Sequence, residues 1–172
     1  MKKLIPIAIL CALFSHITFA LSVPINKFID GDKVLQIGQI DLKDTPYGVV
    51  ITPDLWDLKP GLHGFHMHEN PSCADQGKAA GGHFDPAKTG KHLGPYDNRG
   101  HLGDLPALYV KESGSAKHPV LAPRLKVSDF IGHSLVIHEG SDNYSDVPAK
   151  LGGGGKRAAC GIVSEQAKKS NP

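Results

Sequence analysis

The sequence predicts an all-β domain, an antiparallel barrel or sandwich of about eight short strands joined by long loops. Three observations carry that reading. Gly and Pro supply 20 and 13 of the 172 residues, scattered without a period, which excludes collagen and argues against long helices. Apolar and β-branched runs are short and end at Asp, Gly or Pro. Apolar spacing of three or four residues, the mark of an amphipathic helix, is nearly absent. Hydrophobic residues at 40% and charged residues at 21% are globular values, so a wholly disordered chain is excluded as well.

At the amino end, Met1-Lys2-Lys3 precedes an apolar run over residues 4–12, and Thr18-Phe19-Ala20 closes the segment with a small residue. This predicts a cleaved signal peptide over residues 1–20, followed by one domain over residues 21–172. The run is broken by Pro6, Ser15, His16 and Thr18 and falls short of the roughly 20 residues that cross a bilayer, so no membrane attachment is expected after cleavage. Cys11 and His16 would leave with the leader. Without Lys2 and Lys3, 17 bases face 17 acids, which leaves no basic footprint for nucleic acid. Cys73 and Cys160 stay and are read as structural, as suits an exported chain.

Residues 34–42 and 47–52 are β-branched and suit strands, and 61–69 continues in that vein. Residues 70–104 are rich in Gly, Pro, Asp, Lys and His without apolar periodicity. They read as one long loop, and such loops in a compact domain usually carry function. Alternation returns over 105–111, residues 134–138 form an apolar run ending in His138, and 157–163 form a last strand entered through Gly152-Gly153-Gly154-Gly155. No Ser or Thr follows Lys156 and no helix opens there, so these glycines make a turn and not a phosphate cradle.

Ten histidines are the unusual feature, most of them between Leu62 and Asp104. On a strand, His66 and His68 project from one face while Phe65 and Met67 turn into the core. Such a pair alone specifies little. His83, His92 and His101 follow at intervals of nine, and Asp104 comes three residues later. Three imidazoles and a carboxylate make a closed tetrahedral set suited to zinc. His138 joins His66 and His68 from a distant strand, and a second ring nitrogen from His83 brings the count to four imidazoles, a set suited to copper(II). A ring held between two ions has lost both protons and is a latent base. His63 is read as packed or hydrogen-bonded, His118 as solvent-facing, His133 as structural, and Trp56 as a core or rim residue.

Gly61-Leu62-His63-Gly64-Phe65-His66-Met67-His68, Gly82-His83-Phe84-Asp85-Pro86, His92-Leu93-Gly94-Pro95, Gly100-His101-Leu102-Gly103-Asp104, His138-Glu139 and Arg157-Ala158-Ala159-Cys160-Gly161 together resemble the copper-zinc superoxide dismutases. The resemblance spans essentially the whole mature chain. Asp142-Asn143-Tyr144-Ser145-Asp146 and residues 151–155 resemble the bacterial, exported branch. It implies a Greek-key β-barrel of the immunoglobulin-like sandwich architecture already assigned to that family. It implies one copper per subunit on His66, His68, His83 and His138, and one zinc on His83, His92, His101 and Asp104. It also implies a bond between Cys73 and Cys160, an anion-guiding Arg157 beside the copper, and Asp142 linking His66 to His92. The implied activity is dismutation of superoxide to dioxygen and hydrogen peroxide in the periplasm, with His83 relaying a proton. Lys78 and Lys156 would add attraction at longer range. A monomer and a homodimer both fit. Two departures touch no ligand: residues 75–80 look shorter than in many bacterial relatives, and Leu21-Ser22-Val23-Pro24 lacks a histidine-rich extension.

Two other readings compete. A non-catalytic copper and zinc carrier or store would also want clustered histidines, but it has no need of Arg157 beside the copper or of a ligand shared by two ions. A zinc hydrolase keeps a general base near an open zinc, whereas Glu69 and Glu139 fall on the copper side.

Overall fold

A computed structural model describes residues 20–30 and 33–165. The expected leader, with Cys11 and His16, lies outside the described residues except for Ala20, whose backbone opens the first strand. Nine strands are described: β1 Ala20–Asp30, β2 Lys33–Thr45, β3 Gly48–Leu55, β4 Gly61–His63, β5 Phe65–His68, β6 Leu108–Val110, β7 Val120–Ala122, β8 Ser134–His138 and β9 Arg157–Ile162. Seven of them form one curled antiparallel sheet in the order β5-β8-β9-β1-β2-β3-β7, and β4 pairs with β6 in a second, two-stranded sheet. The only α-helix among the described residues is the single turn Val127–Phe130.

Alternation builds the core. On β2, Ile40 and Leu42 point inward while Gln39, Asp41 and Lys43 face water, and on β1 Leu21, Val23 and Ile25 do the same. These meet Phe65 and Met67 of β5 and Ile137 of β8 in one apolar cluster. A side chain of this size contributes roughly 1.5–3 kcal/mol when it is fully buried.

The structure corrects the sequence reading at three places. β1 and β7 were not expected as strands. Pro24 interrupts the donors of β1, and it is tolerated because β9 reaches β1 only at Asn26 and Lys27, which leaves Pro24 with one neighbouring strand. Residues 61–69 are two strands and not one. Gly64 leaves the ladder to donate to the Gly140 carbonyl and accept from the His138 amide, each at 2.8 Å, so β4 and β5 diverge into different sheets. The long loop stands as read, with only the 3-10 turn Lys78–Ala80 inside it, and the glycine-rich approach to β9 holds a second 3-10 turn, Lys150–Gly153.

Candidate metal centre

β5 and β8 supply the rigid half of the site. They pair with His66 opposite Val136 and His68 opposite Ser134, and His138 ends β8. Backbone bridges then bring the long loop onto β5, joining His68 to His83 and His66 to Asp104. The result is two groups of buried ligand atoms, each within a span of 4.8 Å: His66, His68, His83 and His138, and His83, His92, His101 and Asp104. His83 belongs to both.

Each imidazole is oriented from behind. His66 Nε2 donates to Asp142 Oδ2 at 2.7 Å, His68 Nδ1 to the Gly81 carbonyl at 3.0 Å, and His138 Nδ1 to the Gly155 carbonyl at 3.0 Å. A carboxylate or carbonyl oxygen can only accept, so the proton is fixed on that nitrogen and the lone pair on the other. The nitrogens left over, His66 Nδ1, His68 Nε2 and His138 Nε2, are buried and have no hydrogen-bond partner. Buried orphans of this kind are costly. Three that converge with His83 fit a metal suited to imidazole, as copper is.

On the other side, Asp104 Oδ1 lies 2.9, 3.0 and 3.3 Å from the Nδ1 atoms of His83, His92 and His101. A tetrahedron with zinc bonds of about 2.0 Å has edges of about 3.3 Å, so these residues are spaced to hold zinc. His92 Nδ1 is close to Asp104 without hydrogen-bond geometry, so it has no hydrogen bond to give up when zinc displaces its proton. Asp104 Oδ2 accepts from the amides of Leu93 and Gly94, both at 3.2 Å. Asp142 Oδ1 takes His92 Nε2 at 2.8 Å, so this one carboxylate ties a ring of each group to the other. Gly152 has φ +73°, and a Cβ there would meet Asp142 Oδ1 at 1.9 Å, so only glycine lets the carboxylate sit where it does.

Electrostatics follow from burial. Loss of hydration lowers His66 to about 3, His68 to about 2 and His138 to about 4, so these rings are neutral and ready to ligate. His83 is lowered by the same cause. Burial also pushes His92 down, but the neighbouring carboxylates of Asp104 and Asp142 outweigh it and raise the ring to about 9. Burial pushes Asp104 and Asp142 up, yet the histidines that donate to them hold both well below the usual carboxylate range.

Arg157 opens β9, and its guanidinium donates to the carbonyls of Gly77 and Gly81. It lines a cleft of about 800 Å³ with Lys27, Lys59, Lys78, Lys156 and Glu139. Cys73 and Cys160 are joined, S–S 2.01 Å, which ties the loop that grips Arg157 to the strand that carries it. His63 is buried with Nδ1 2.6 Å from the His138 carbonyl and Nε2 2.7 Å from that of Lys59. His118 is exposed, His133 lies against Phe84 with its Nδ1 on the Glu69 carbonyl, and Trp56 is a half-exposed rim residue. Sequence reasoning missed the carbonyls of Gly77, Gly81 and Gly155, Asp146, which accepts the His92 amide at 2.9 Å, and Arg124. Asp146 closes the run Asp142-Asn143-Tyr144-Ser145-Asp146 and so carried a visible signal; the carbonyls carried none.

The Copper/zinc superoxide dismutase (SODC) family matches residues 36–163. The chain belongs to that family. Copper and zinc are therefore its cofactors, and it is an oxidoreductase acting on superoxide. Relatives named Superoxide dismutase [Cu-Zn] include one from Salmonella typhimurium, 52% identical over 84% of this chain and 87% of its own length, and one from Legionella pneumophila, 49% identical over 88% and 92%. Among solved structures, the Cu/Zn superoxide dismutase from Brucella abortus superposes with a TM-score of 0.80 at 41% identity, covering 85% of this chain and all of that one. The monomeric copper, zinc superoxide dismutase from Salmonella enterica gives 0.72 at 47% identity, with the same coverage. The barrel expected from sequence is thus the family's barrel.

Proposed function

We propose that His66, His68, His83 and His138 would hold copper and that His83, His92, His101 and Asp104 would hold zinc, as the centre at which this chain dismutes superoxide. The observation that carries the assignment is the presence of His83 in both donor groups. Bound copper supplies one-electron chemistry in both directions, so that one superoxide leaves as dioxygen and a second, with two protons, as hydrogen peroxide. The chain does the rest. Arg157 binds and orients the anion with a planar fork whose direction is set by two backbone carbonyls. His83 Nε2 holds one proton and delivers it, while Nδ1, on the Asp104 side, keeps the ring in place. Asp142 keeps the rings of His66 and His92 from turning.

The amino-terminal segment supports export: residues 1–20 act as a signal peptide, residues 21–172 are the mature enzyme, and it works in the periplasm. The disulfide agrees with an oxidising compartment. A superoxide-consumption assay on the copper- and zinc-loaded protein, beside a chelated control, tests the function. Rapid consumption that the chelator abolishes supports it, and tight binding of both metals without consumption leaves a carrier. A mass measurement in solution distinguishes monomer from homodimer.

A further inference from the structure

We propose that Arg124 is a positioning residue for the zinc half of the centre, its guanidinium holding the two arms of the ligand loop against the barrel through three backbone carbonyls. The proposal rests on the zinc assignment above. Arg124 follows β7, which is anchored in the wall by pairing with Val49, Val50 and Ile51 of β3. From there Nε donates to the Pro95 carbonyl at 2.9 Å, and Nη2 donates to the carbonyls of Gly94 at 3.3 Å and His101 at 2.5 Å. One fork thus spans the arm that carries His92 and the arm that carries His101.

The peptides it grips are the ones that shape the site. The Gly94 amide donates to Asp104 Oδ2, so Gly94 is held by the ligand carboxylate on one side and by Arg124 on the other. His101 is the most exposed of the four zinc-side residues at 7%, and its Nδ1 is the farthest of the three from Asp104 Oδ1. It is therefore the ligand most in need of a brace. Charge does not explain the residue: a fixed cation beside a dication repels it, and Arg124 makes no ion pair among the described residues. A planar fork with donors in fixed directions does explain it, because three carbonyls pointing out of one loop need such a fork.

The test is zinc titration of the purified full chain and of Arg124→Gln and Arg124→Lys, with a competing chelator. Melting is followed with and without zinc, and cobalt(II) serves as an optical probe of the zinc site. Residues that orient ligands from behind typically change metal affinity by about 10- to 100-fold. Zinc affinity is expected to fall by that amount in both variants, with copper stoichiometry unchanged, an altered cobalt spectrum, and a narrower gap between zinc-loaded and metal-free melting. Arg124→Lys keeps the charge and most of the stem, and it carries the comparison alone if Arg124→Gln does not fold. Wild-type zinc affinity in Arg124→Lys, or an equal fall in both melting temperatures, overturns the proposal. Failure of zinc to stabilise the wild-type chain overturns the zinc assignment itself, which separates the two.

Discussion

His68 and Arg157 donate to the same acceptor, the carbonyl oxygen of Gly81, at 3.0 Å and 2.5 Å. His68 turns its other nitrogen toward the copper-side group, and Arg157 turns its charge toward the cleft. The guanidinium proposed to bind the anion is thereby registered to a ring proposed to hold copper through a single peptide group.

Arg157→Lys tests that registration. The ammonium keeps the charge but cannot grip Gly77 and Gly81 as a fork. The second-order rate constant with superoxide is expected to fall by about tenfold, on the way to the roughly 100-fold that an ångström of misplacement costs. Stopped-flow consumption at matched metal content measures it, and an unchanged constant would refute the orienting role.

Longer-range attraction is a separate matter. Lys27, Lys59, Lys78 and Lys156 share the cleft with Arg157, against Asp30 and Glu139. Exposed charges are screened beyond about 8 Å at physiological ionic strength. The rate constant should therefore decline as salt is added, and Lys156→Gln should flatten the decline. A rate indifferent to salt would remove these lysines from the account.

Asp104→Ala should loosen zinc before copper. Asp104 faces three imidazoles with Oδ1 and two amides with Oδ2, whereas the rings of His66, His68 and His138 are oriented by other groups. Metal analysis after dialysis is expected to show copper retained, some activity remaining, and zinc affinity lower by 100-fold or more, the upper end of what a site's orienting partners contribute. Equal loss of both ions would contradict this order.

In the metal-free chain, His66, His68 and His138 titrate in the folded state at about 3, 2 and 4, against 6.5 otherwise. Below pH 6.5 the unfolded chain takes up protons that the folded chain refuses, so stability falls as pH drops from about 6.5 to about 2. His92, raised to about 9, has the opposite sign: its contribution is complete below pH 6.5 and is lost as pH rises through 9. The melting temperature of the metal-free protein should thus decline on acidification. Zinc binding at pH 7.5 should release about one proton, that of His92. Calorimetry in two buffers of different ionisation enthalpy reads that proton, and a release of none would contradict a charged His92.

The donors were legible in the sequence because histidine is rare and the pattern dense: the paired His66 and His68, the even spacing of His83, His92 and His101, and Asp104 just after. What orients them was not. Gly77, Gly81 and Gly155 act through carbonyls, which every residue possesses, so only the path of the loop selects them. Arg124 is separated from the carbonyls it grips by 23 to 30 positions, and nothing in its neighbours marks it. Of the strands, β1 carried its alternation plainly in Leu21, Val23 and Ile25, but Pro24 and the adjoining leader hid it. β7 has three residues between prolines, too few for a period to show.

The bridge between Cys73 and Cys160 closes a ring of covalent and hydrogen-bonded links that runs through Gly77 and Arg157. Opening that bridge leaves every imidazole in place but removes the one covalent tie between the segment that grips the guanidinium and the strand that carries it. Superoxide consumption at matched metal content is therefore expected to be slower for the reduced protein than for the oxidised one, and equal rates would show that the bridge has no part in seating Arg157.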